Sequence, residues 1–289
     1  MSDFGGSVKC ADDYEFAVIG IPYDEKSSFL KGTARGPEAV RRASTGAAIN
    51  AWTELGVNLA EDTTLVDLGD VDVSGGFSAV SRRIMESVSA VSTNKAFPVI
   101  IGGDHSISYP VVKALHRIYH PMDVLHLDAH PDLYEEYEGD RFSHACPFAR
   151  IVEEGLADRL IQVGIRAATG EHRSFAKKHG VTLIEMKDME EIPCLNFKNP
   201  FYLSVDVDAL DPAFAPGVSH HEPGGLSTRQ LIQIIHRLEG KMIGMDLVEV
   251  NGDRDPTGIT AAAGAKIIME VIGHVVLGGH RYRDRKSGA

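Results

Sequence analysis

The chain is short of the features that staple a small secreted module, cross a membrane or grip a nucleic acid. Cysteine occurs three times in 289 residues. Cys10, Cys146 and Cys194 are widely spread and form no CxxC pair. An odd, sparse set excludes a disulfide framework and fits a reducing compartment, read here as the cytoplasm. No uninterrupted apolar run approaches about 18 residues, the length a membrane-crossing helix needs. The opening MSDFGGSVKCADDYEF holds no apolar stretch of the kind found in signal peptides. Basic residues are outnumbered, 29 against 41 acidic ones, and the net charge of −12 excludes the basic footprint of a nucleic-acid partner. It favours a cationic small molecule instead. No repeat, low-complexity tract or Pro/Ser linker divides the sequence. We therefore expect one domain over 1–289, with 1–13 and the basic 281–289 as tails.

What is present is an alternation. With 43% hydrophobic residues the chain can bury a large core. Short, near-continuous apolar runs at 16–21, 98–101, 124–127, 160–163, 201–205 and 242–247 read as strands covered on both faces. Amphipathic stretches near 36–44, 76–92, 108–119, 147–155, 171–179, 227–238 and 258–277 read as helices between them. That order predicts an α/β domain whose mainly parallel sheet lies between helical layers.

Three motifs close three of those strands: GGDHS after PVII, DAHPD after VLHL, and DVD after FYLSV. Parallel α/β sheets place ligands at the carboxyl ends of their strands, so His105, Asp128, His130, Asp132, Asp206 and Asp208 are expected on one edge. The run MIGMDLVEV delivers Asp246 and Glu249 to the same edge. In DAHPD the i, i+2, i+4 spacing aligns Asp128, His130 and Asp132 along one side of an extended segment. Four carboxylates and two imidazoles exceed what one small ion needs, but they suit two ions, roughly 3.5 Å apart, that share carboxylates. Asp128 and Asp206 would be the shared ligands, with Asp208 terminal, Asp132 and His105 on one ion and His130 on the other. Oxygen and imidazole ligation without thiolate favours Mn²⁺, with Fe²⁺, Co²⁺, Ni²⁺ or Zn²⁺ as alternatives. A single DxD at a strand end is often no more than a turn or a cap; three such motifs at three strand ends are not. His126, inside VLHL, reads as a satisfied core histidine, and Cys146 as a small buried core residue.

These motifs resemble those of the ureohydrolase family, the arginases and agmatinases, through GGDHS, DAHPD and SVDVDALDPAFAPG, over a stretch from GTARGPEAVRRA at 32–43 to about residue 265. The resemblance implies a three-layer α/β/α domain, assembly as a homotrimer or homohexamer, and two Mn²⁺ per chain on all six ligands. It further implies that His144 in FSHACPF shuttles a proton and that Glu249 grips the substrate guanidinium. Both roles suit the groups: an imidazole with an ordinary pKa near 6.5 can protonate a leaving amine, and a carboxylate can accept paired hydrogen bonds from a planar guanidinium. The implied reaction is hydrolysis, in which hydroxide attacks the guanidinium carbon and urea and an amine depart. The far end of the substrate should be read by the loop 133–142 and by residues after VGIR at 163–166. There Asp140 could meet an amine and Arg141 or Arg166 a carboxylate. The loops are most similar to those of plant-type arginases and resemble prokaryotic agmatinases as well. L-arginine is therefore the expected substrate, with agmatine and 4-guanidinobutyrate as alternatives. VEVNGDRDPTG departs from the family's more usual VEVNP or VEFNP. A metal-holding protein without activity and a one-metal amide hydrolase are the rival classes.

Overall fold

The computed structural model describes residues 3–7, 13–45 and 49–278. Eight strands, β1 (Phe16–Gly20), β2 (Leu65–Asp70), β3 (Phe97–Ile101), β4 (Asp123–Leu127), β5 (Arg159–Ile165), β6 (Thr182–Glu185), β7 (Phe201–Asp206) and β8 (Met242–Val248), form one sheet. Their order is β2-β1-β3-β8-β7-β4-β5-β6. Every pairing in that sheet is parallel.

Side-chain alternation along the strands divides the interior in two. Val18, Val99, Ile101, Leu125, Leu127, Leu203, Val205, Met245 and Leu247 face α1 (Gly36–Ser44), α7 (Thr228–His236) and α8 (Ile259–Val276). Ala17, Ile19, Ile100, Val124, Leu160, Tyr202 and Ile243 face α3 (Phe77–Thr93), α4 (Ser108–Tyr119), α5 (Pro147–Glu153) and α6 (Gly170–His179). The result is the expected α/β/α sandwich, and it explains why the central strands read as unbroken apolar runs: both of their faces are inside. A short helix, α2 (Leu59–Asp62), lies between α1 and β2. Helix α8 has a mean hydropathy of 1.5, high enough by length and composition to cross a bilayer, but 67% of it is buried. Its apolarity is that of a helix enclosed on most sides.

Two strands escape the periodicity. β2 (LVDLGD) carries Asp67, whose carboxylate takes the buried Arg41 of α1 in a two-point ion pair, 2.8 Å from Nε and 2.9 Å from Nη2. Removing one partner of such a buried pair costs about 3–5 kcal/mol, so the charges that hide the strand in sequence fasten it in the fold. β6 (TLIE) is short, partly exposed and at the sheet edge. The amino-terminal stretch is not wholly a tail. Phe4 is buried, its N–H donates to Asp67 Oδ2 at 2.8 Å, and Gly5 N–H donates to Ser44 Oγ at 2.8 Å. Burial of the ring and the two hydrogen bonds together offset the freedom this stretch gives up. Cys10 and residues 281–289 lie outside the described residues.

Candidate metal centre

The four central strands β3, β8, β7 and β4 are neighbours and parallel, so their carboxyl ends share one edge. From β3 the chain turns through Gly102 and Gly103. A Cβ on Gly103 would stand 2.0 Å from Tyr23 O, so only glycine fits. Asp104 then caps a single 3-10 turn, accepting from Ser106 N–H at 3.1 Å and Lys26 N–H at 2.9 Å. That turn drives His105 into the interior, where it is fully buried.

Its ring orientation is fixed from behind. Ser204 Oγ donates its only hydrogen to Asp246 Oδ1 at 2.6 Å and lies 2.9 Å from His105 Nε2. The hydroxyl therefore accepts from Nε2–H, so in the neutral ring Nδ1 is left with its lone pair. Nδ1 stands 3.2 Å from Asp128 Oδ2, 3.2 Å from Asp132 Oδ2 and 3.1 Å from Asp206 Oδ2. It makes a well-formed hydrogen bond with none of them. A buried lone pair aimed among three carboxylate oxygens is the arrangement a cation completes.

A second cluster lies beside the first. His130 Nδ1 is 3.0 Å from Asp208 Oδ2 and 3.5 Å from Asp128 Oδ1. Asp128 thus turns one oxygen to each group; His105, Asp128 and Asp132 on one side and Asp128, His130 and Asp208 on the other have the spacing of metal sites, with Asp206 beside the first through His105. Asp206 Oδ1 accepts from Asp208 N–H at 2.7 Å, and Asp208 Oδ1 accepts from Ala129 N–H at 3.1 Å, which locks the DVD turn against DAHPD. His126 joins the first group by distance only. Its Nε2 donates to Asp128 Oδ2 at 2.7 Å while its Nδ1 accepts from Gln162 Nε2 at 2.8 Å, so both nitrogens are used, as expected of a core histidine.

The charges point the same way. Burial pushes the Asp206 carboxyl well up, and its neighbours Asp208 and Asp128 push it further. Burial and Asp128 raise Asp208 as well. Burial disfavours the charged forms of His105, His130 and Asp128, yet carboxylates hold both imidazoles well above their usual range, and the imidazoles hold Asp128 well below its own. Four carboxylates crowd two imidazoles, and the upward push on Asp206 and Asp208 marks negative charge gathered beyond what the two rings offset. The residues present therefore fit hard divalent cations.

The site opens into a cavity of about 200 Å³. Glu249 enters it from the end of β8 with φ 63°, and Asp132 has φ 50°. A left-handed conformation away from glycine costs roughly 1–2 kcal/mol and persists where neighbours dictate it, commonly at working sites. Glu249 Oε1 accepts from His105 N–H at 2.9 Å, and burial, then Asp104, hold its carboxyl well up. His144 presents Nδ1 to Glu249 Oε1 at 3.7 Å, has Ser28 Oγ 2.8 Å from Nε2, and stacks on His220 at 5.3 Å. Burial lowers its pKa to about 4, so the ring is neutral near pH 7.

Three far-end expectations need correction. Asp140 and Arg141 do not line the cavity. Asp140 is spent on Lys26 Nζ at 2.5 Å and Phe142 N–H at 2.8 Å, and Arg141 pairs with Glu153 Oε2 at 2.8 Å on the outer side of the loop. Arg166 is a backbone clamp whose guanidinium donates to the carbonyls of Glu222, Gly164, Asp208, Ala209 and Leu210. Asp246 lies mid-strand behind His105, accepting also from Tyr202 Oη at 2.8 Å and Ser108 Oγ at 2.6 Å. Tyr134, Tyr137, Ala167, His172 and His220 form the far wall instead. Of these, only the doubled histidine of VSHHEPGG stands out in the sequence. Cys146 is buried, and burial raises its thiol pKa to about 12, so it is the inert core cysteine expected. A larger cavity of about 620 Å³ between α3 and α4 contains none of these groups.

The Arginase family model matches residues 14–273. "Arginase 1, mitochondrial" of Oryza sativa subsp. indica is 45% identical over 88% of this chain and 79% of its own length. "Arginase 2, chloroplastic/mitochondrial" of Arabidopsis thaliana is 44% identical with the same coverage of both chains. Among solved structures, an arginase from Medicago truncatula superposes with a TM-score of 0.86 at 41% identity, covering 89% of this chain and 86% of that one. The cytoplasmic expectation does not stand, because these similar plant enzymes are named for mitochondria or chloroplasts. Sparse cysteines without a CxxC pair fit any reducing compartment and cannot separate the cytosol from an organelle interior.

Proposed function

The chain belongs to the arginase family, and from that premise we propose that it hydrolyses the guanidino group of L-arginine to urea and ornithine. The observation that carries the reading is Asp128, whose two carboxylate oxygens serve two adjoining ligand clusters. His105 and Asp132 complete one cluster and His130 and Asp208 the other; Asp206, expected as a second shared ligand, stands 3.1 Å from His105 Nδ1. Manganese is the proposed metal, ahead of Fe²⁺, Co²⁺ or Ni²⁺. Two divalent ions in these clusters would supply hydroxide from water near neutral pH.

The protein's own groups do the rest. Glu249 accepts from the guanidinium through the oxygen that His105 N–H leaves free, which fixes the plane of the reacting carbon. His144 faces that carboxylate with Nδ1 and carries a proton to the departing amine. Its neutral resting state means that it must first take that proton from the site. The whole of 1–289 is read as one such domain, in a homotrimer or homohexamer. Agmatine is the second-choice substrate.

Urea release from Mn²⁺-loaded protein should be fastest with L-arginine when agmatine and 4-guanidinobutyrate are run beside it. Faster release from agmatine would move the assignment to that amine. Activity that survives complete metal removal, checked by elemental analysis, would overturn the mechanism.

A further inference from the structure

One side chain on the far wall holds a donor with nothing to bond. His172 lies in the first turn of α6, is 3% exposed and lines the cavity edge-on to Tyr134, the ring centres 4.1 Å apart. Thr169 N–H donates to His172 Nδ1 at 3.2 Å. A backbone N–H can only donate, so Nδ1 is the acceptor and the proton sits on Nε2. That Nε2 is buried and has no hydrogen-bond partner. A buried donor without an acceptor is costly to keep, and burial also holds the ring neutral by lowering its pKa to about 4. The described side chains lining the cavity include Asp132, Asp206, Asp208 and Glu249 but no lysine or arginine. A substrate carboxylate must therefore be met by neutral donors.

We propose that His172 determines specificity by donating from Nε2–H to the carboxylate at the far end of the guanidino substrate. The inference rests on the hydrolase reading above. It places the preference for arginine over agmatine on α6, with Tyr134 as the wall that positions the ring. Arg141 and Arg166, the cations that sequence suggests for the task, are engaged elsewhere.

The competing account is that His172 only caps α6, since its ring and Thr169 form a reciprocal capping box. Two variants separate the roles. Glutamate is the usual residue at that capping position, so His172→Glu keeps the cap while replacing the donor with an acceptor. His172→Gln keeps the cap and offers an amide donor. KM and kcat are measured for L-arginine, agmatine and 4-guanidinobutyrate, with the thermal midpoint as a folding check. Calorimetric binding of L-ornithine and putrescine repeats the comparison without turnover.

For His172→Glu we expect the KM of arginine and guanidinobutyrate to rise at least about tenfold, the size of a lost hydrogen bond to a charged group. Agmatine should be unaffected or improved, and ornithine should bind more weakly while putrescine does not. His172→Gln should retain most of the discrimination. If the KM values for arginine and agmatine move together, or neither moves, in an enzyme whose wild type is active on arginine, the inference fails alone. A wild-type protein that releases no urea from arginine brings down the hydrolase reading and this inference with it. A rise for guanidinobutyrate without one for arginine would assign the donor to a terminal acid and overturn the arginine specificity.

Discussion

The two ends of one cavity are built on different principles. At the metal end most groups are held from behind: His105 by Ser204 and Asp246, Asp128 by His126, His126 by Gln162, and Asp206 and Asp208 by backbone N–H groups. All six ligands sit on or just past strands that are buried on both faces. At the far end Tyr134, Tyr137 and His220 stand on loops, and only His172 belongs to a helix. Rigid strand ends hold reacting groups to the tolerance chemistry needs, whereas loops can change what the site accepts without disturbing that geometry.

The sharpest way to break this contrast is at the carboxylate both clusters share. Asp128→Asn keeps the shape and removes the charge, and it should lower urea release by at least about a thousandfold, in line with loss of the metal chemistry itself. Elemental analysis should find at most one ion per chain in the variant against two in the wild type; two in both would show that Asp128 is not shared. One layer back the effect should shrink. Ser204→Ala takes away the acceptor for His105 Nε2–H, and outer-shell changes of this kind typically cost 10–100-fold in metal affinity or activity. The loss should appear in metal titrations, with the KM for arginine little changed at saturating metal.

The same contrast decides what could be read from sequence. GGDHS, DAHPD and DVD were legible because each ligand follows a continuous apolar strand, and parallel strands can end only on a common edge. Ser204 and Asp246 were harder, for a polar residue inside an apolar strand gives no sign of its partner; the pair meets only when β7 and β8 lie side by side, with Ser204 opposite Asp246. β2 was hidden by its aspartates and β6 by its brevity. The far end was least legible. Whether Asp140 faces substrate depends on Lys26, 114 residues away, and whether Arg141 is free depends on Glu153. Those pairings belong to the folded loops and leave no periodic trace.

Acidity offers a milder probe. Burial lowers His144 and His172 to about 4 from an ordinary 6.5. Between those values the unfolded chain takes up protons that the folded one refuses. Their contribution is therefore complete above about pH 6.5, declines as pH falls, and levels off near 4. His172→Gln removes one of these rings, so its thermal midpoint should fall less steeply across that window than the wild type's. Parallel curves would mean that folding leaves the pKa of His172 unchanged, against its burial.

The smallest expected effect tests the loop that sequence favours most. Arg141 carries a guanidinium in the loop that follows DAHPD, and by charge alone it is the natural partner for a substrate carboxylate. In the structure its side chain is 57% exposed and its Nη2 is taken by Glu153 at 2.8 Å. An exposed pair of this kind contributes about 0–1 kcal/mol. Arg141→Ala should accordingly leave the arginine KM within about twofold and lower stability by no more than that contribution. Arg166→Ala should instead be strongly destabilising and affect every substrate alike, because five backbone carbonyls lose a donor at once. A tenfold rise in the arginine KM of Arg141→Ala, with agmatine unchanged, would mean that the loop 133–142 closes over bound substrate and swings Arg141 inward. Specificity would then sit in a moving element rather than on the helix that presents His172.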